Sequence, residues 1–358
     1  MAPQILQYFH PVLLSRALGK RPVRVTLAGH PLVLFRDTAG RSAALDDRCP
    51  HRRAPLSQGI VRTDGRLVCP YHGWNFDAAG RGRSPSDPLL TCNTGAYQIV
   101  ERLDHLWLAH RETPLAKFPV PGWKSFDFAG TLSILVQAPL ELTLDNISED
   151  EHFPFIHTTF GCGEDELPDA TFEARLFDDY SEASYTGPQR SSFWAPLGGV
   201  RAGDQFYNRW HTRFDPVRAV YTFGWHDRVS GIERPITTRA VVFLIPETFA
   251  TTRITMFIFL RIKPSLYRSL RRVMHFFART IAYKELKRDA RLIELVTEAP
   301  KTIQGMRLTR FDKALVYNRR LLQTLYWGST EHPRPTPEVP QSLQPFGSGE
   351  VLVCSEDN

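Results

Sequence analysis

Residues 145–157 carry an unusual density of side chains that bind metal ions. The group comprises two histidines, four carboxylates and one amide: Asp145, Asn146, Glu149, Asp150, Glu151, His152 and His157. Imidazole binds iron, zinc, copper and nickel, so these residue types do not select one metal. Two interpretations remain open at this point: a metal site, or a charged helix end that contains two incidental histidines.

The spacing of the histidines requires a break in regular helix. An α-helix has about 3.6 residues per turn, so side chains five positions apart, as in His152 and His157, do not share a face. Pro154 lacks an N–H group, disfavours helical backbone at the preceding residue and is tolerated at the first position of a new helix. The sequence therefore predicts that the two histidines straddle a helix break at Pro154.

A second set of candidate ligands lies earlier in the chain. It consists of a C-x-H pair, seventeen intervening residues and a C-x-x-H pair: Cys49, His51, Cys69 and His72. Two thiolates and two imidazoles can hold a tetrahedral zinc ion, or a two-iron cluster with the cysteines on one iron and the histidines on the other. The cluster is favoured because each turn supplies one cysteine and one histidine. Pro50 and Pro70 stiffen these turns. Gly73 lets the backbone approach the cluster closely, and Trp74 can shield the cluster from water.

Composition narrows the class of protein. The 358 residues are 42% hydrophobic and 23% charged, with a net charge of +6. No basic motif indicates nucleic-acid binding, no apolar run has the length of a membrane span, and the first residues lack a signal-peptide layout. Five cysteines in a chain of this length favour metal ligation or free thiols over disulfides. We expect a cytoplasmic protein without stable membrane insertion.

Hydrophobic patterns predict the elements that position these ligands. Residues 20–110 contain short apolar runs separated by Gly and Pro, which indicate a small antiparallel β domain with a hairpin in residues 23–37. Residues 171–262 predict a second antiparallel sheet. Residues 265–282 and 283–300 have helical periodicity. The first of these helices is expected to pack on the core through Leu266, Leu270, Val273, Phe277 and Ile281.

A tract rich in Pro and Gly before Trp123 is typical of a linker. We therefore predict domains at residues 1–118 and 119–330. The Pro-rich residues 331–358 are expected to form a disordered tail.

The segments CPHRRAPLSQG and VCPYHGWNFDAAG resemble the Rieske [2Fe–2S] signature. The surrounding residues 7–112 resemble the Rieske domain of ring-hydroxylating oxygenase large subunits. The resemblance implies that Cys49, His51, Cys69 and His72 hold a [2Fe–2S] cluster. Such a cluster receives electrons from a ferredoxin or flavin reductase, so that NAD(P)H is used only indirectly. Nearby arginines form either a basic rim for an acidic donor or a solvated surface: Arg52, Arg53, Arg81 and Arg83.

Beside a Rieske domain, residues 145–157 resemble the mononuclear-iron motif of the same oxygenases. The resemblance implies that His152 and His157 bind Fe(II) together with a carboxylate from far downstream. Asp289 occupies the position of that carboxylate in the family's closing helix. A carboxylate beside a cation stays ionised despite burial.

Two further residues are candidate catalytic groups. Most relatives have Asp where this chain has Glu149, and there the carboxylate bonds an iron histidine and a cluster histidine across a subunit interface. We expect Glu149 to orient His152 and to contact His72 of the partner subunit, with Asp150 as the alternative bridge. Asn146 matches an Asn of the motif. It either supports an iron ligand through a hydrogen bond or caps a helix.

Together the motifs predict an α+β fold, with the Rieske domain followed by a helix-grip (START-like) antiparallel sheet with helices. The resemblance implies a homotrimeric terminal oxygenase of the monooxygenase and demethylase branch. Such an enzyme uses O2 to hydroxylate or to O- or N-demethylate a small cyclic substrate, including aromatic rings. Amine oxidation, desaturation and oxidative cyclisation are alternatives at the same site. A Rieske electron carrier is a remote alternative, because the iron ligands are intact.

Overall fold

A computed structural model describes residues 4–87, 89–120, 122–157, 159–192, 199–263, 270–298 and 303–328. The described residues form three antiparallel sheets and four α-helices. The predicted α+β architecture is confirmed. Among the described residues, no helix is long and apolar enough to cross a membrane.

Two sheets occupy the N-terminal part of the chain. The first has six strands in the order β1-β11-β10-β4-β3-β2: β1 (His10–Leu14), β2 (Val23–Leu27), β3 (His30–Arg36), β4 (Ser42–Asp46), β10 (Ala96–Arg102) and β11 (His105–His110). The second has five short strands in sequence order: β5 (Ile60–Val61), β6 (Leu67–Val68), β7 (Asn75–Phe76), β8 (Arg81–Arg83) and β9 (Thr91–Asn93). The predicted hairpin is present as β2 and β3, whose turn residues Ala28 and Gly29 both have positive φ.

The third sheet has seven strands in the order β12-β18-β17-β16-β15-β14-β13. Their bounds are β12 (Asp127–Val136), β13 (Thr171–Leu176), β14 (Tyr180–Pro188), β15 (Gln205–Phe214), β16 (Val217–His226), β17 (Ile236–Pro246) and β18 (Thr252–Ile262). Neighbouring strands from β13 to β18 are joined in chain order, so this part of the sheet is a meander. The first strand, β12, closes the other edge against β18.

Four helices accompany this sheet: α1 (Leu140–Ile147), α2 (Phe153–Ile156), α3 (Arg271–Leu295) and α4 (Leu315–Leu321). The long helix α3 lies against β12 where the strand has a bulge at Gly130. Gly130 has φ +136, and a Cβ atom there would lie 2.6 Å from Cδ of Arg279 on the helix. Absence of a side chain therefore lets the helix approach the sheet closely.

The predicted packing face of the first half of α3 is wrong at two residues and correct in direction at two others. Leu270 and Val273 are 46% and 45% exposed, whereas Met274 is buried and Phe277 and Ile281 line a cavity. Some apolar side chains of this helix are exposed to solvent, so the spacing of apolar residues alone does not show which face of the helix packs on the sheet. The expected core residue Leu266 lies outside the described residues.

One buried apolar cluster includes residues from both sides of residue 118. Trp107 of β11 packs against Phe243 and Phe257 of the seven-stranded sheet, with ring centroids 5.1 Å away in both cases. The hairpin tip donates backbone hydrogen bonds from Ala28 and Gly29 to the end of β17 and the residue that follows it. The division into domains at residue 118 stays a prediction, and the tail at 331–358 lies outside the described residues.

Candidate active site

His152 and His157 flank the one-turn helix α2, at its N-cap and C-cap positions. Helix α1 ends at Ile147, and Pro154 lies in the first turn of α2. The helix break therefore precedes the histidines, and the proline opens the second helix instead of interrupting it. This short turn brings the two imidazole Nε2 atoms to within 3.1 Å of each other.

Asp289 joins the two histidines from helix α3. Its Oδ1 atom lies 3.5 Å from Nε2 of His152 and 3.2 Å from Nε2 of His157. The structure thus brings together three residues from distant parts of the sequence, and all three ligand atoms lie within 4.8 Å of one another. Asp289 is buried, as a ligand of an enclosed metal ion would be.

A carboxylate holds the Nδ1 atom of each histidine. Glu149 Oε1 lies 2.6 Å from Nδ1 of His152, and Glu285 Oε2 lies 2.8 Å from Nδ1 of His157. Glu285 also accepts hydrogen bonds from Thr159 and Arg288. Because carboxylates accept, each Nδ1 donates its proton to one of them, and in the neutral ring Nε2 then carries the lone pair that a metal ion would bind.

The site strongly favours positive charge. Burial lowers the pKa of His152, but the neighbouring carboxylates of Asp289 and Glu149 outweigh it and raise the pKa to about 10. Burial also opposes ionisation of Asp289, yet His157 and His152 hold the pKa of its carboxyl well below the usual range. A proton or a metal cation is thus stabilised between these three side chains.

The donor set fits a metal ion. Two imidazole lone pairs and a carboxylate oxygen converge, and Oδ1 of Asp289 is buried with no hydrogen-bond partner. Converging acceptors repel one another unless a cation lies between them. Two histidines and one carboxylate on one side of an ion leave its other positions open, which is the ligand set of non-haem Fe(II) oxygenases.

The triad opens into a cavity between helix α3 and the seven-stranded sheet. The cavity has a volume of about 220 Å³. Most of its walls are apolar, and representative wall residues are Phe160, Phe206, Phe223, Trp225, Leu260 and Met274. A pocket of this kind excludes bulk water and accepts an organic molecule next to the triad.

Asp150 and Asn146 also line this cavity. Asp150 is 2% exposed and accepts a hydrogen bond from Nδ2 of Asn208, at 2.8 Å. Burial raises the pKa of Asp150 to about 7, although the bond from Asn208 opposes the rise. Because Asp150 points into the cavity, Glu149 and not Asp150 is the carboxylate that supports His152. Asn146 lies on α1, and its buried Oδ1 atom has no hydrogen-bond partner.

The two Cys/His turns of the N-terminal domain share one backbone geometry. In each turn the cysteine N–H bonds the carbonyl five residues on, at Ala54 or Trp74, and the cysteine carbonyl accepts from the N–H four residues on, at Arg53 or Gly73. Arg53 and Gly73 have φ values of +63 and +71. The repeated turn presents both ligand pairs in the same way.

The turns bury the cysteines and expose the histidines. Cys49 and Cys69 are 1% and 3% exposed, whereas His51 and His72 are exposed, with ring centroids 4.8 Å apart. Burial raises the pKa of the Cys49 thiol to about 11, and Cys69 adds to the rise. Thiolate formation there requires a bound cation. The arrangement suits a cluster whose histidine-bound iron lies at the surface.

The four nearby arginines are exposed. Arg52 lies over the ring of Tyr71, next to the second ligand pair, and Arg81 pairs with Asp77. Exposure of these arginines fits both a basic rim for an acidic donor and a solvated surface, so a docking role stays a prediction.

Comparison with known proteins places this chain in a family. The profile of the Rieske [2Fe–2S] domain matches residues 9–94. The oxygenase subunit of vanillate O-demethylase from a Pseudomonas species is 30% identical over 237 residues, which are 61% of this chain and 71% of that relative. The chain belongs to the Rieske oxygenases, as a terminal component. Membership implies a [2Fe–2S] cluster and a non-haem iron.

Other matches are more partial or more distant. The 4beta-methylsterol monooxygenase of Methylococcus capsulatus is 34% identical over 163 residues, which are 40% of this Rieske oxygenase and 43% of the relative. The matched region therefore spans less than half of that relative's length. A crystal structure of dicamba monooxygenase superposes with a TM-score of 0.73 at 22% identity, covering 91% of this chain and 98% of the other. That likeness shows the shared fold.

Two residues of the site were not predicted from sequence. Glu285 lies one helical turn before Asp289, on the same face of α3, so its spacing could have identified it. Asn208 lies within a strand and has no local signal. It reaches the site because β15 crosses the floor of the cavity opposite Asp150.

Proposed function

We propose that this Rieske oxygenase uses O2 and electrons from a ferredoxin or flavin reductase to hydroxylate or demethylate a small cyclic organic molecule. The observation that carries the proposal is the convergence of His152, His157 and Asp289 at the wall of a largely apolar cavity. Relatives named for methylsterol, chlorophyllide and vanillate act on ring compounds, which supports a cyclic substrate.

The cluster and the iron are assigned to separate ligand sets. Cys49 and Cys69 would hold the inner iron of the cluster, and His51 and His72 the outer one. His152, His157 and Asp289 would hold the mononuclear iron. When bound, this iron supplies O2 activation with electrons from the cluster.

The protein's own groups prepare the site for that chemistry. Glu149 and Glu285 retain the Nδ1 protons of the histidines, so that both Nε2 lone pairs point at one place. Asp289 contributes a negative charge that offsets part of the metal's charge. The apolar walls exclude water, which protects a reactive oxidant and holds the substrate next to the open metal positions.

Electron delivery is proposed to cross a subunit interface. The exposed edges of His51 and His72 are accessible to another subunit or to a donor protein. A head-to-tail homotrimer would place one subunit's cluster beside its neighbour's iron, with Glu149 between them. Arg52 and its neighbouring arginines would attract an acidic donor. We place the reaction in the cytoplasm.

Iron analysis and turnover test this function. Purified enzyme should contain about three irons per chain, two of them in the cluster. Asp289→Ala should lose the mononuclear iron and keep the visible absorption of the cluster. Glu294→Ala, on the same helix, is the matched control and should keep all of its iron. Unchanged iron content in Asp289→Ala would show that the third ligand is wrong, and cluster iron alone in the unaltered enzyme would favour an electron carrier.

Turnover is measured with a surrogate reductase, O2 and a panel of ring compounds. Product masses distinguish a gained oxygen, a lost methyl group and a lost pair of hydrogens. The proposal expects one of the first two with the unaltered enzyme and none with Asp289→Ala.

A further inference from the structure

The cavity beside the triad has an unusual charge pattern. Among the described residues that line it, none is lysine or arginine. The ionisable groups among these residues are the carboxylates of Glu149, Asp150, Glu285 and Asp289, the two histidines and the phenol of Tyr221, whose hydroxyl donates to the carbonyl of Ile147. The four carboxylates outnumber the two positive charges of a bound Fe(II). A carboxylate-bearing ligand would lose its hydration here without gaining a cationic side chain, so the cavity disfavours anions.

A buried amide interrupts the apolar wall. The buried face of β15 presents Phe206, Asn208 and Trp210 in turn, and Asn208 is 2% exposed. Its Nδ2 atom donates to Asp150, but its Oδ1 atom is buried without a hydrogen-bond partner. Buried polar atoms are rarely left unpaired, which indicates that a bound molecule supplies the missing donor.

A second acceptor lies in the same cavity. Oδ1 of Asn146 is also buried without a partner, and Asn146 lies on α1, one turn before Asp150. Two unpaired acceptors, with no basic side chain among the described residues of the lining, define a complementary ligand: it must carry donor groups and no negative charge. The orientation of the Asn208 amide follows from its bond to Asp150: the ionised carboxylate accepts, so the Asn208 atom that faces it is the NH2 nitrogen, which donates.

We propose that the cavity selects an uncharged, largely apolar ring compound that donates a hydrogen bond, from a hydroxyl or N–H group, to the amide oxygen of Asn208. This inference rests on the oxygenase function proposed above, which makes the cavity the substrate site. Water can satisfy the amide oxygen in the free enzyme, and a substrate lacking a donor would displace that water without replacing its bond. Asn208 is thus a specificity-determining residue.

Three probes of one shape test the inference: pyrene, 1-hydroxypyrene and 1-pyrenecarboxylate. Binding is measured by equilibrium dialysis against iron-loaded, oxidised enzyme without reductant, so that no turnover is needed. We expect 1-hydroxypyrene to bind about tenfold more tightly than pyrene, the range of one neutral hydrogen bond. The carboxylate should bind about 100-fold more weakly than the alcohol. Equal binding of the carboxylate and the alcohol would overturn the proposal.

Variants identify the residue responsible. Asn208→Leu removes the acceptor at similar size and should abolish the preference for 1-hydroxypyrene over pyrene, while pyrene itself still binds. Thr212→Val is the matched control: Thr212 lies on the same face of β15 and has a buried unpaired Oγ1 atom, but it does not line the cavity. It should keep the preference.

A preference retained in Asn208→Leu would also overturn the assignment. If Asn208→Leu fails to fold, the three-probe comparison with unaltered enzyme still decides the substrate class. Failure of catalytic turnover, by contrast, would count against the oxygenase function and leave the dialysis result standing.

Discussion

Glu285 is predicted to control iron affinity through His157, although it does not touch the ion. Its carboxylate accepts from Nδ1 of His157 at 2.8 Å, from Thr159 at 2.7 Å and from Arg288 at 2.9 Å. Replacement of Glu285 by Gln keeps the size and shape of the side chain. The amide oxygen must then face His157, because the NH2 group cannot accept from a ring N–H. Arg288 is 40% exposed and can turn towards water.

The expected loss of iron affinity follows from the change in the hydrogen bond between residue 285 and His157. Gln keeps the orientation of His157 but replaces an ionised acceptor with a neutral one, and charge-assisted hydrogen bonds are about twice as strong as neutral ones. We expect Glu285→Gln to weaken iron binding about tenfold, equivalent to about 1.4 kcal/mol. Glu285→Leu removes the acceptor altogether and should weaken binding about 100-fold, the upper end for residues that orient a metal ligand.

Anaerobic titration with Fe(II) against a competing chelator measures these affinities, and visible absorption checks that the cluster is intact. Glu294→Gln is the control, because Glu294 lies on the same helix but accepts from the backbone of Gln137 and does not line the cavity. Thermal unfolding separates loss of iron from loss of fold. Iron affinity within about twofold of the unaltered enzyme for Glu285→Leu would refute the orientation argument.

Three further predictions concern stability. Burial raises the pKa of Glu233, but its basic and hydroxyl neighbours outweigh it and lower the pKa to about 2. Its stabilisation is therefore complete above the ordinary glutamate value of 4.5 and is lost as the pH falls towards 2. Glu233→Gln should cost about 1 kcal/mol at pH 7 after discounting for solvent screening, with a difference that shrinks below pH 4.5 in denaturant titrations. A constant difference from pH 6 to pH 3 would contradict this. Gly130→Ala should cost about 1–3 kcal/mol because of its positive φ and its contact with Arg279. Gly122→Ala, which meets no atom within 4 Å, should change stability little, and equal effects of the two would count against the close-packing argument. Trp107→Ala should lower the free energy of unfolding by about 3–5 kcal/mol, since the ring is fully buried between the two sheet systems. A loss below about 1 kcal/mol would mean that this contact is not a main support of the fold.

The local parts of both metal sites could be predicted from sequence. Each Cys/His pair lies within one turn, and His152 and His157 lie within one short helix and its caps. Residue type and spacing carry that information because the chain between the ligands is too short to adopt many arrangements. Asp289 was predicted only through the family resemblance, and the structure brings it to the two histidines.

The sequence by itself determined which neighbouring side chains can bind a metal ion, and it predicted two antiparallel β regions and a late helix; iron and the third ligand came from the family resemblance. Tertiary structure alone decided how that chemistry is supported. Glu285 meets His157 across 128 positions, and Asn208 meets Asp150 across 58. The solvent-facing side of the first half of α3 was likewise decided by packing against the sheet. Local patterns record spacing along the chain, whereas hydrogen bonds between distant elements depend on sheet order and helix position, which form only when the whole core packs.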